Sequence, residues 1–122
     1  MPDAPLTWSW VAWRGMHLHC NRVAPREACG ALLGRWDTRY VQEVRALTNV
    51  ESGDSHYRID EDELLSLFAE VDGYEPGGME VLGWFHSHPR TSSQPSELDL
   101  QMAVPGFVYA IVGLDGVKTF IT

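Results

Sequence analysis

The densest chemistry in the chain lies in His86-Ser87-His88-Pro89-Arg90-Thr91-Ser92-Ser93-Gln94-Pro95-Ser96-Glu97-Leu98-Asp99. Met79 to His88 reads as a strand. Residues i and i+2 of a strand share a face, so the imidazoles of His86 and His88 point the same way and can chelate one ion. Pro89 stops the strand straight afterwards and leaves the pair at a sheet rim, where ligands bind. Seven residues separate His88 from Ser96, and seven extended residues reach ~23 Å, ample for the chain to return over the strand end. Ser96 and Asp99, three apart at the start of a short helix, are neighbours on one face. Asp99 then offers a hard oxygen beside two imidazoles. Three protein ligands with a fourth position open are the arrangement of a catalytic zinc rather than a closed structural one. Two plainer readings stand beside this one: His-x-His is also two polar residues at a strand end, and Ser-x-x-Asp is also a capping box.

The other reactive side chains carry less. His17 and His19 fall in a helix, where residues two apart point roughly 200° from each other, so they cannot close on one metal. His56 lies in a polar loop. Cys29, among Ala28, Gly30, Ala31 and Leu32, reads as a buried strand thiol, which is inert as a nucleophile.

The elements that must position these residues follow from periodicity and punctuation. Trp8 to Cys20 reads as a helix with Trp8, Val11, Ala12, Gly15 and Leu18 on one side, ended by Asn21–Arg26 with its proline. Ala28 to Gly34 is a short buried strand, Asp37-Thr38 a turn, and Arg39 to Leu47 the second arm of a hairpin. Asp60 caps the next helix with Glu63 as a capping-box-like partner. Leu64, Leu67, Phe68 and Val71 make its apolar stripe, and Gly73 stops it. In the strand Met79–His88, alternation puts Leu82, Trp84, His86 and His88 on one side and Val81, Gly83, Phe85 and Ser87 on the other. Apolar residues on both faces make it central in its sheet. A loop Pro89–Pro95, a short helix Ser96–Met102, a buried strand Phe107–Val112, a turn at Asp115-Gly116 and a last strand Val117–Ile121 complete the chain. Helices alternating with strands indicate an α/β layered domain with a mixed sheet.

With 122 residues, the chain has the length of one domain, 1–122, without repeats or a dividing linker. Apolar residues make up 44% and charged residues 21%, which argues against disorder. Nine Lys and Arg against 17 Asp and Glu give a charge of −8, which disfavours a binder that tracks nucleic-acid phosphates. Two cysteines nine apart make no disulfide framework and suit a reducing compartment. The first ten residues lack a basic region followed by a long apolar one, and no stretch approaches the ~18–20 apolar residues of a membrane span. The expectation is a soluble, cytoplasmic protein with no nucleic-acid or membrane partner. Of five tryptophans, Trp84 is expected in the core. Trp8, Trp10 and Trp13 are assigned mainly to packing, with a partner surface as the alternative use.

The pattern His-x-His, seven residues, Ser, two residues, Asp, with a Glu well upstream, resembles the JAMM (MPN+, JAB) metalloprotease motif. It fits at His86, His88, Ser96 and Asp99 without a gap. Pro25-Arg26-Glu27-Ala28-Cys29-Gly30-Ala31-Leu32-Leu33-Gly34 is similar to a second family hallmark, a Glu introducing a Gly-containing strand, and Gly83-Trp84-Phe85-His86-Ser87-His88-Pro89 matches a third stretch. The resemblance runs from about Trp8 to the C-terminus. One departure is the ending, since members usually continue past this last strand; a short or missing C-terminal element is expected.

Spacing alone does not single out Glu27 among 17 acids. The resemblance implies that it is the general acid/base, that His86, His88 and Asp99 hold one zinc with a catalytic water, and that Ser96 hydrogen-bonds the oxyanion. It also implies the substrate: a peptide or isopeptide bond after the C-terminal glycine of a ubiquitin-like protein. Small prokaryotic-looking members resemble enzymes that process ubiquitin-fold sulfur carriers with a Gly-Gly tail, and the segments expected to flank that tail are Asn49–Tyr57 with the helix that follows it, and Pro89–Pro95. A zinc deaminase, which has a similar fold, needs His-x-Glu followed by Pro-Cys-x-x-Cys, and no cysteine follows Cys29. The remaining alternative is a non-catalytic MPN scaffold that binds partners after losing its ligands, and every expected ligand is present.

Overall fold

The computed structural model describes residues 5–51 and 56–122. Its elements, in chain order, are β1 (Thr7–Trp8), α1 (Trp10–Val23), β2 (Cys29–Arg35), β3 (Tyr40–Leu47), α2 (Glu61–Asp72), β4 (Glu80–Ser87), α3 (Glu97–Met102), β5 (Val108–Gly113) and β6 (Gly116–Ile121). The six strands form one mixed sheet in the order β1-β3-β2-β4-β5-β6, with β1–β3 and β4–β5 parallel and the other neighbours antiparallel. The architecture is the α/β class expected, a mixed sheet flanked by helices.

The first helix starts later than its apolar pattern suggests. Thr7 and Trp8 pair with Tyr40 and Val41, and Ser9 caps α1 by accepting from the Ala12 amide. The buried stripe is Ala12, Met16 and Cys20, at i, i+4 and i+8. Val11 and Leu18, expected on that face, are exposed, as is Trp10 at 70%. Trp84 is buried, so packing accounts for that tryptophan and not for Trp10. In α2, Asp60 accepts from the Glu63 amide as expected. The Glu63 carboxylate instead accepts from the amide and hydroxyl of Thr48, so this capping box is only half formed.

Each sheet face has its own core. Ala12, Met16 and Cys20 of α1 pack with Leu32, Val41, Leu82, Phe85 and Ala110. On the other face, Leu67 of α2 packs with Ala31, Leu33, Val81, Trp84, Tyr109 and Ile111. Val81 and Trp84 therefore share a face, whereas strict alternation puts them on opposite ones. The reason is a β-bulge: Leu32 pairs with Gly83 but Leu33 with Val81, leaving Leu82 as an extra residue. Beyond it, alternation resumes, with Trp84 and His86 toward α2 and Phe85 toward α1.

Burial of β4 on both faces confirms it as a central strand. Its parallel partner approaches so closely at Gly83 that a Cβ there would lie 1.7 Å from the Val108 carbonyl oxygen. No helix among the described residues is long and apolar enough to cross a membrane.

Candidate metal centre

His86 is opposite Cys29 in the β2–β4 pairing, at the end of β4 where the chain leaves the sheet. Its side chain is 1% exposed. The ring stacks on Tyr57, centroids 4.5 Å apart and planes 26° from parallel. His88 lies just past the strand, held by its amide to the Val112 carbonyl. The loop then returns as expected, tied by Ser93 to the Asp115 carboxylate and by the Leu114 amide to the Thr91 carbonyl. It delivers Ser96 as the N-cap of α3.

Ser96 and Asp99 form a complete capping box. The Ser96 oxygen accepts from the Asp99 amide at 3.0 Å, and Asp99 Oδ2 accepts from the Ser96 amide at 2.9 Å. The same carboxylate also faces both imidazoles, with Oδ2 2.9 Å from His88 Nε2 and Oδ1 3.1 Å from His86 Nε2. The capping and ligand readings of Ser96-x-x-Asp99 are thus compatible: the carboxylate that caps α3 also faces both imidazoles.

The donor set suits a divalent cation. His88 Nδ1 lies 2.8 Å from the Ser92 carbonyl, an acceptor only, so it carries the proton and directs Nε2 at Asp99. His86 is buried, and neither ring nitrogen makes an aligned hydrogen bond. Two imidazole nitrogens then face the two oxygens of one carboxylate, His88 Nε2 at 2.9 Å from Oδ2 and His86 Nε2 at 3.1 Å from Oδ1, near enough together for a single ion to sit among them. Two nitrogens and an oxygen are donors that zinc accepts. Glu27 completes the cluster: buried at 5% exposure, it has a carboxylate oxygen within 4.8 Å of ligand nitrogens of His86 and His88. It sits two residues before β2, beside Ala28, whose amide donates to the Ser87 hydroxyl and whose carbonyl accepts from the Ser87 amide.

The electrostatics follow the packing. Desolvation pushes the His86 pKa down and favours the neutral ring that a metal requires. The Asp99 hydrogen bond raises His88 against its partial burial. Burial works to raise Asp99, but the two imidazoles of His86 and His88 against it outweigh that and hold the carboxyl well below the usual range.

Cys20 and Cys29 are both buried and form no disulfide. Burial pushes their thiols up to about 11 and about 12, which removes Cys29 as a nucleophile. His17 bonds to the Trp13 carbonyl and His19 to the Cys29 carbonyl, apart from the cluster.

An apolar cavity of about 460 Å³ opens beside His86 and Asp99, walled by Leu64, Phe68, Trp84, Phe107 and Tyr109. Of the segments expected to flank a substrate tail, His56, Tyr57 and the following helix α2, through Glu61, Leu64 and Phe68, line it, residues 52–55 lie outside the described part, and none of Pro89–Pro95 lines it. Two contributors escaped the sequence reading. Tyr57 carries no signal of stacking in its local pattern. Asn49 has one, since its Oδ1 accepts from the Glu51 amide, the Asx-turn that an Asn at a strand end favours.

A family model described as prokaryotic homologs of the JAB domain matches residues 11–121. The chain is similar to a desampylase of Haloferax volcanii, 35% identical over 97 residues that cover 78% of this chain and 68% of that protein. It is also similar to a probable TtuB-protein conjugate cleaving protease of Thermus thermophilus, 35% identical across 84% of this chain and 66% of the other. The matches therefore span about two thirds of these relatives. A solved structure of a protein from Desulfitobacterium hafniense superposes with a TM-score of 0.77 at 29% identity, covering 96% of this chain and 90% of that one.

Proposed function

The chain belongs to the prokaryotic homologs of the JAB domain, and from that membership we propose that it is a zinc-dependent hydrolase. Its substrate is the peptide or isopeptide bond that follows the C-terminal glycine of a ubiquitin-like or sulfur-carrier protein. The observation that carries the reading is the convergence of His86, His88 and Asp99, with the Glu27 carboxylate beside them. The names of the relatives, a desampylase and a conjugate-cleaving protease, support hydrolysis of protein conjugates.

His86, His88 and Asp99 would hold one zinc ion, which supplies Lewis-acid activation of a water and of the scissile carbonyl when bound. Glu27 takes the proton from the attacking water on a carboxylate oxygen and returns it to the leaving amine. The Ser96 oxygen already accepts the Asp99 amide, and its hydroxyl hydrogen, not used by that cap, donates to the oxyanion of the tetrahedral intermediate. Ser92 keeps His88 in the tautomer that presents Nε2. An extended tail ending in Gly-Gly, having no side chains there, passes close to the ligands.

The test uses the purified chain, its zinc content by mass spectrometry, and a sulfur carrier fused through Gly-Gly to a short reporter. One zinc per chain and cleavage after the last glycine are expected, with cleavage blocked when that glycine is replaced by a bulky residue. A metal-free native protein without turnover sinks the enzyme in favour of a scaffold. Equal cleavage of both fusions, or of an unrelated unfolded protein, makes it a general peptidase.

A further inference from the structure

Asn49 is buried, and its side chain makes as many hydrogen bonds as its amide has sites. Nδ2 donates to the Glu27 carbonyl at 2.9 Å and the His56 carbonyl at 3.3 Å; Oδ1 accepts from the Glu51 amide at 2.9 Å and the Arg58 amide at 3.0 Å. An asparagine amide has two donor hydrogens and two acceptor lone pairs, so the set is complete. The backbone around it is held as well. Arg26 donates to the carbonyls of Asn49 and Glu51, and Asn49 faces Ile59 in an antiparallel bridge.

The destinations of these bonds give the residue its meaning. One ends on the backbone of Glu27, whose carboxylate lies beside the paired imidazoles. Two end on His56 and Arg58, the residues either side of Tyr57, whose ring covers His86. We propose that Asn49 is a positioning residue that sets the placement of the Glu27 carboxylate against the His86 ring by tying together the two segments that carry them. A full complement of bonds in a buried amide specifies one geometry, because a displaced neighbour leaves a polar atom unsatisfied. The inference rests on the hydrolase reading for its kinetic readout only.

Asn49→Asp separates the two ties. It retains both acceptor bonds to Glu51 and Arg58 and loses both donor bonds, including the one to Glu27. Asn49→Ala loses all four. The experiment measures kcat and KM on the Gly-Gly fusion, zinc affinity by chelator competition, thermal midpoint, and hydrogen exchange at the Glu51 and Arg58 amides, all on the full chain.

In Asn49→Asp, kcat should fall on the order of 10²-fold, the cost of roughly 1 Å of misplacement at a reacting group, with KM little changed and both amides still protected. In Asn49→Ala, both amides should also exchange faster, and zinc should bind about 10-fold more weakly as Tyr57 loosens from His86, a change at the scale of lost outer-shell support. A residue that only holds the fold would lower the thermal midpoint and leave kcat of the folded protein unaltered; that result overturns the proposal. If Asn49→Ala does not fold, the kcat of Asn49→Asp decides. If the wild-type chain cleaves no fusion, the hydrolase reading fails separately. The tie is then judged on zinc affinity and exchange, and wild-type values in both variants overturn it.

Discussion

Two carboxylates lie beside the paired imidazoles, and exchanging each for its amide tests the proposed division between one that holds metal and one that moves protons. Asp99 lies 2.9 and 3.1 Å from the two Nε2 atoms, the spacing of groups that share an ion. Glu27 has a carboxylate oxygen within 4.8 Å of ligand nitrogens of both rings, and the proposed mechanism assigns it to the attacking water rather than to the ion. Glu27→Gln, nearly isosteric, should therefore leave zinc stoichiometric and remove only the proton acceptor. General-base catalysis supplies about 10²–10⁴ in rate, so the barrier should rise by about 2.7–5.4 kcal/mol at ~1.36 kcal/mol per factor of ten. Asp99→Asn keeps an oxygen to cap α3 but withdraws the charged ligand, so zinc affinity should drop by more than the roughly 10–100-fold typical of outer-shell changes. Single-turnover cleavage of the carrier fusion, with metal measured on the same samples, reads both variants. If Glu27→Gln loses zinc in step with activity, Glu27 is a ligand and the proposed division of roles is wrong. If it turns over at the wild-type rate, it is not the base.

Ser96→Ala should slow turnover by roughly 10²–10³-fold for a lost oxyanion donor and cost α3 its cap, about 1 kcal/mol. Ser96→Thr should restore both, and a wild-type rate for the alanine variant reduces Ser96 to a cap. Gly83→Ala drives a Cβ into the Val108 carbonyl and should lower stability by about 3 kcal/mol, the upper end for overpacking; an unchanged urea midpoint refutes that contact. The exposed Glu70 is lowered from 4.5 to about 2, chiefly by the hydrogen bond from Arg45 and then by that from Tyr74. A depressed carboxyl stabilises the fold above its unfolded pKa and loses that contribution as pH falls through the folded one. The thermal midpoint of Glu70→Gln should thus lie below wild type at pH 7 and converge with it between pH 4.5 and about 2; a gap that stays constant with pH removes Glu70 from the balance.

Much of the site was legible because its signals are local. A strand puts His86 and His88 on one side, a proline ends it, and Ser-x-x-Asp announces a helix start; the structure brings these together with Asp99 against both rings. Glu27 was different: nothing local marks one acid among many, and only the resemblance to a family selected it. Asn49 and Tyr57 act through partners distant in sequence, which periodicity does not record. The fold was misread where tertiary contacts override pattern. The start of α1 yielded to two residues pairing with β3, the Glu63 carboxylate was drawn away by Thr48, and alternation failed in β4 because a bulge adds Leu82 beside Gly83, a strand glycine whose meaning depends on the register with β2.

That extra residue also decides which changes of chain length the site can survive. Upstream of Leu82, β4 pairs with β2 only at Leu33 and Gly34. Downstream, Gly83 to Ser87 pair with β5, and Gly83 to His86 pair with β2 as well. The facing of His86 is thus counted from β5, and the segment 73–79 before β4 can lengthen or shorten by a residue with the slack taken up at the bulge. The same insertion between Gly83 and His86 would turn the imidazole through the sheet into the layer of Phe85 and α1. Variation among related chains should accordingly accumulate ahead of the bulge and stop abruptly behind it.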